Sequence, residues 1–116
     1  MAVFDHLSEG IIITDTESVI QYVNQAYCEI TGYSSEELIG QTPRIVRSDH
    51  HSPEFYQAML ETLRTEQGWE GQIWNRRKNG EAFLQNLKIA ARRDEAGEVV
   101  QYIGIYQLPG AMDKEL

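Results

Sequence analysis

The spacing of apolar and polar residues changes period several times along the chain. GIIITD (residues 10–15) is a short apolar run rich in β-branched residues, and VIQYVN (19–24) follows it across the polar stretch DTES. Two such runs around turn residues predict a pair of strands in a hairpin. Asn24 stands where a helix N-cap belongs for QAYCEIT, in which Ala26 and Ile30 share a face and Gly32 supplies the stop. Ser34 and Glu37 have capping-box spacing, which predicts another helical turn through Leu38 before Gly40. The segment QTPRIVRSDHH shows no period. Ser52 ahead of Pro53 then opens a longer helix whose Phe55, Met59 and Leu63 recur at i, i+4 and i+8, with Gly68 expected to end it.

Three strands are expected next, Trp69–Arg77, Ala82–Arg92 and Val99–Leu108, with RKNGE and DEAGE as the turns. The order β-β-α-α-α-β-β-β predicts an α+β domain, a five-stranded antiparallel sheet with its helices segregated on one face. Alternation along a strand puts Ile73 and Asn75 on one face and Gln72, Trp74 and Arg76 on the other; in the next strand Phe83, Gln85, Leu87 and Ile89 form the apolar set. If Gly80 closes a three-residue loop in the left-handed conformation, Asn75 lies opposite Phe83 and diagonal to Gln85. Two amides then point into a core, where an unpartnered amide costs about 1–3 kcal/mol. Pairing with each other, with water or with backbone is one answer. A heteroaromatic ligand whose edge offers donors and acceptors is the other.

With 116 residues the chain has the size of one domain, and no repeat or low-complexity stretch divides it; composition shifts only at LPGAMDKEL. Eighteen acidic against ten basic side chains give a net charge of -8, which argues against nucleic acid and anionic membranes as partners. The first residues lack the features of a signal peptide, and no apolar run approaches a membrane span, so a soluble chain is expected. Cys28 is the single cysteine, which leaves the cytoplasm as the expected location.

The stretches SEGIIITD, IQYVNQAYCEITGYSSEELIG, SPEFYQAML, GWEGQIWNRRKNGEAF and DEAGEVVQYIGIY together resemble the PAS domains, over about residues 3 to 108. The resemblance implies a PAS fold over 1–108 and a tail or truncated linker over 109–116. It also implies a sensory and dimerisation module without catalytic activity. Such modules are fused or docked to output domains such as histidine kinases, diguanylate cyclases, cyclic-di-nucleotide phosphodiesterases or chemoreceptors. Leu108-Pro109-Gly110 replaces the Asp-Ile-Thr exit common among PAS sensors, consistent with an excised fragment or unusual coupling.

In flavin-binding members, amides at the positions of Asn75 and Gln85 face the isoalloxazine, so the resemblance implies FAD or another flavin. Tyr106 occupies the position of a third amide, Leu60 that of a tryptophan of the redox sensors, and Pro43 that of the photoreactive cysteine, which excludes a covalent photoadduct. The expected cofactor-binding set is Asn75, Gln85, Tyr106, Ile73, Leu60, Met59, Phe83, Leu87 and Arg44. Haem ranks behind flavin, because the axial histidine of haem sensors falls on Ser52 and His51 is one residue early. A rival reading is a ligand-free dimerisation module with its cavity filled by Met59, Leu60, Phe83 and Ile89. A small metal-dependent hydrolase is a third class, for which SDHHSP offers too few ligands. His50 and His51 are expected as solvated loop side chains, Arg76, Arg77 and Lys78 as a solvated basic tip, and Trp74, Gln72 and Tyr22 as markers of the outer sheet face that anchors a homodimer.

Overall fold

The computed structural model describes residues 9–109. The expected domain limits at residue 1 and across the 109–116 tail therefore fall largely outside the described residues. Five strands, β1 (Gly10–Thr14), β2 (Ile20–Val23), β3 (Gly68–Arg76), β4 (Ala82–Arg93) and β5 (Val99–Gln107), form one sheet in the order β2-β1-β5-β4-β3. All pairings are antiparallel. Between β2 and β3 lie α1 (Gln25–Thr31), α2 (Ser35–Leu38), a 3-10 helix (Pro43–Val46) and α3 (Pro53–Thr65). The α+β architecture is the one expected; the 3-10 turn sits in the stretch without a period. Thr42 caps it, and Pro43 starts it.

Local signals account for most of these boundaries. Asp15 closes the β1–β2 turn by accepting the amides of Glu17 and Val19. Asn24 does more than cap α1. Its Oδ1 accepts from the amides of Tyr27 and Ile11, and its Nδ2 donates to the Glu9 carbonyl, so one buried side chain ties the first helix to the first strand. Ser34 and Glu37 form both halves of the expected capping box.

Gly68 departs from expectation. Helix α3 ends three residues earlier at Thr65, with Glu66 as its cap donating its amide to the Thr62 carbonyl, and Gly68 is instead the first residue of β3. A Cβ there would sit 2.4 Å from the Ile89 carbonyl oxygen, so the glycine permits a close strand approach rather than a helix stop. Gly80 behaves as expected: it takes φ 95°, the Arg77 amide donates to the Glu81 carbonyl, and Asn75 pairs with Phe83.

The helices pack on one face of the sheet, α1 against β1, α2 against β2 and α3 against β3. Ile12, Ile73, Leu87 and Tyr106 from the sheet meet Tyr27, Met59 and Leu63 from the helices in the core. Burying each of these side chains is worth roughly 1.5–3 kcal/mol, and together they hold a thin helical layer over a wide sheet. Among the described residues no helix is long and apolar enough to cross a membrane.

Candidate functional site

The helical layer does not close fully onto the sheet. A cavity of about 550 Å³ remains between α3, the 3-10 turn and strands β3, β4 and β5, within the size range of small-molecule and cofactor sites. Met59 and Ile89, which the ligand-free reading places inside as filling, stand on its wall with the space left open. Ile73 and Leu87 make the apolar sheet side, while Met59 and Leu63 make the helix side. Leu60 reaches the rim but is 44% exposed, so it borders the entrance rather than the interior. Arg44 is likewise exposed and lies at the rim.

The amides divide between wall and interior. Asn75 lines the cavity, whereas Gln85, 0% exposed, lies behind it. Asn75 Nδ2 donates to Gln85 Oε1 at 2.8 Å, the mutual pairing that the sequence left open. Pairing satisfies only half of Gln85, because its Nε2 has no partner; with the Tyr27 and Tyr56 hydroxyls it belongs to the buried polar atoms left unsatisfied among the described residues. Phe83 also stands off the cavity wall, its ring lying 4.0 Å beneath the Arg77 guanidinium. Tyr106 is on the wall and packs against Tyr27 with ring centroids 5.1 Å apart. Burial pushes both phenols well above their ordinary pKa, and the neighbouring Tyr106 adds to the rise at Tyr27. Both stay protonated and able to donate.

Several wall residues lie outside the expected set, Tyr56 and Arg47 among them. Tyr56 lies on α3 at i−3 from Met59 and i−7 from Leu63, a helical face as regular as the Phe55 series. Its hydroxyl is orphaned, and the Arg47 guanidinium lies 3.7 Å from its ring centroid. Arg47 follows the 3-10 turn and shares the rim with Arg44; neither forms an ion pair among the described residues. The signal for Arg47 was only tertiary, since it depends on how the turn crosses the mouth. Phe55 instead faces Trp69 and His51.

Of the two histidines, His50 is exposed as expected, whereas His51 is half-buried and engaged. His51 Nε2 accepts the Trp74 main-chain N–H at 2.8 Å, and its ring stacks on Phe55 at 4.0 Å. His50 stacks on the Trp74 indole at 4.6 Å, so Trp74 is half-buried and not an open anchor on the outer face. Gln72 does mark that face, exposed and donating to Asn86 across the ladder. No cluster of metal-ligating side chains forms among the described residues. Ser52, the position implied for a haem ligand, is the cap of α3.

The basic tip is also engaged. Arg77 pairs with Glu81 and donates to the Ile30 carbonyl; Lys78 pairs with Glu37, and its amide donates to the Thr31 carbonyl. Arg76 pairs with Asp49. These contacts pin the β3–β4 hairpin to the C-terminal end of α1, where free helix carbonyls attract cations. The Lys78 contact holds the Glu37 carboxyl below its ordinary pKa.

Comparison with known proteins places this geometry. Residues 2–108 match the PAS fold family. The chain is 36% identical over 101 residues to a nitrogen fixation regulatory protein of Klebsiella oxytoca, covering 87% of this chain and 20% of that one. It is 30% identical over 87 residues to a blue-light-activated histidine kinase of Brucella anthropi, covering 75% of this chain and 18% of the kinase. The chain thus spans about a fifth of the length of these relatives. Among solved structures, the PAS domain of a Colwellia psychrerythraea protein superimposes with a TM-score of 0.83 at 22% identity, covering 90% of this chain and 88% of that one. A light-oxygen-voltage domain studied with a flavin analogue superimposes with a TM-score of 0.79 at 26% identity, covering 92% and 82%.

Proposed function

The chain belongs to the PAS family, a family of sensory modules, and on that premise we propose that residues 1–108 form a sensor whose cavity takes up a flavin, with 109–116 as tail or linker. The observation that carries this reading is the Asn75–Gln85 pair: one amide on the wall of a largely apolar cavity, backed by a fully buried amide with an unpartnered nitrogen. A polar-edged aromatic ligand meets Asn75 without disturbing the apolar walls. Ile73 and Leu87 would lie against one face of the ring system, Met59 and Leu63 against the other. Arg44 and Arg47 at the rim suit the phosphate of a flavin nucleotide, FAD included. A bound flavin supplies a reversible redox change; this chain's residues hold it, exclude water and read its polar edge through Asn75. The likeness to the flavin-analogue domain supports the choice of ligand.

Occupancy or redox state would pass from Asn75 through β3 and β4 to the outer sheet face, and from there to an output domain. A histidine kinase is the output supported by one relative; a diguanylate cyclase, phosphodiesterase or chemoreceptor would couple in the same way. We place the module in the cytoplasm as a homodimer. Haem fits less well, since His51 Nε2 is already taken by Trp74. One observation favours a second reading, a ligand-free interaction module: the amides satisfy one another in part without any ligand. The absorption spectrum of freshly purified protein separates them. Bands at about 450 nm support flavin, whereas featureless absorbance above about 300 nm, with no flavin co-eluting with the protein on gel filtration after incubation with FAD, FMN or riboflavin, overturns it.

A further inference from the structure

Segment 47–51 runs along the outer edge of β3 as a strap. Arg47 bridges to Asn75, Ser48 Oγ donates to the Trp74 carbonyl at 2.6 Å, and the Trp74 amide donates to His51 Nε2 at 2.8 Å. The side chains of Ser48 and His51 thus occupy both main-chain groups of Trp74, in place of a sixth strand. Ser48 is buried, and its Oγ also accepts the His50 amide. The strap continues directly from Val46 and Arg47, which line the cavity.

An imidazole nitrogen can accept a hydrogen bond only while it carries no proton. We propose that His51 is a proton-operated latch: protonation at Nε2 expels the Trp74 N–H, releases the strap from β3 and loosens the cavity mouth at Val46 and Arg47. The groups around the imidazole favour the closed state near neutral pH. From α3 it meets the Phe55 face and the Tyr56 ring edge, whose other neighbour is the Arg47 guanidinium. From β3 it meets the Trp74 peptide, with Arg76 beyond it held by Asp49 of the strap. His50 is the adjacent titratable group. Burial, and then the charge of His50, hold the His51 pKa below its ordinary value. A depressed histidine pKa contributes stability that is complete above the ordinary imidazole value of about 6.5 and is lost as pH falls through the folded value. The latch therefore opens on acidification.

The test uses the ligand-free protein, so it stands or falls independently of flavin binding. In ¹⁵N-labelled protein, exchange of the Trp74 amide, corrected for its intrinsic rate, is followed from about pH 7.5 to about pH 5.0. Protection should fall by up to about tenfold per pH unit as pH drops from the ordinary imidazole value of about 6.5 to the His51 midpoint and level off below it, and the Val46 and Arg47 amide shifts should move over the same window. His51→Gln retains a carbonyl acceptor that does not titrate and should flatten the response, whereas His50→Gln should preserve it. Should His51→Gln fail to fold, the ¹⁵N shifts of the parent imidazole decide: Nε2 must be the bare nitrogen at neutral pH. Unchanged Trp74 protection across the range, a loss that persists in His51→Gln, or a protonated Nε2 at neutral pH overturns the proposal.

Discussion

Replacing the two amides separately by leucine should have opposite effects on the ligand-free protein. In Asn75→Leu the 2.8 Å bond to Gln85 Oε1 is lost, and Gln85, 0% exposed with Nε2 already unpartnered, is left with both ends of its amide unsatisfied. A newly orphaned buried acceptor costs about 1–3 kcal/mol, against which the added leucine contact at a cavity wall returns about 1 kcal/mol. The net expectation is a loss of up to about 2 kcal/mol, with a fall in melting temperature of roughly 4 °C per kcal/mol for a domain of this length. Gln85→Leu instead removes a side chain that is half unsatisfied and leaves Asn75 facing the cavity, where water can reach it. That variant should be neutral or gain up to about 1 kcal/mol. Chemical denaturation of both single variants and the double variant closes the cycle; the double variant should resemble Gln85→Leu, because the orphan disappears with Gln85. Where flavin is bound, Asn75→Leu should also weaken it by about five- to 150-fold, equivalent to about 1–3 kcal/mol. A stabilised Asn75→Leu, or a Gln85→Leu that loses 2 kcal/mol or more (an order-of-magnitude threshold), would refute the reasoning that the pair is half satisfied.

Gly68→Ala should destabilise by about 1–3 kcal/mol in a thermal melt, since its Cβ would meet the Ile89 carbonyl oxygen at 2.4 Å and neither backbone can yield cheaply. Replacing His50 and His51 together by alanine should cost about 1–2 kcal/mol near neutral pH, because a stack and a backbone partner are lost; an effect below about 0.5 kcal/mol would restore the picture of solvated histidines. Arg44→Ala and Arg47→Ala should lower affinity for FAD and FMN in a salt-dependent way while leaving lumiflavin, which has no phosphate, nearly unaffected in a fluorescence titration. Light scattering at about 100 μM should show a dimer; a monomer alone at that concentration, with the natural flanking sequence present, would remove the homodimer from the proposal.

The strands, their hairpins and the capped helices were legible because each is specified locally. Asn24 next to an apolar-periodic segment, Ser34 with Glu37, and Gly80 in a turn that needs positive φ all act within a few residues of themselves. Alternation in β3 and β4 likewise placed Asn75 opposite Phe83. What lay across the fold was not legible. Gly68 reads as a helix stop by position, yet its requirement comes from a carbonyl on another strand. His51 reads as a loop residue, yet its nitrogen caps a strand edge 23 positions away. Alternation puts both amides on the ligand face, but side-chain direction fixes only the side of the sheet; depth behind the wall depends on how α3 and the 3-10 turn settle over it. Periodicity encodes which face is buried, because burial repeats with the backbone. Partner choice for a single polar group does not repeat, so only the assembled tertiary structure decided which amide meets the cavity and which stays behind it.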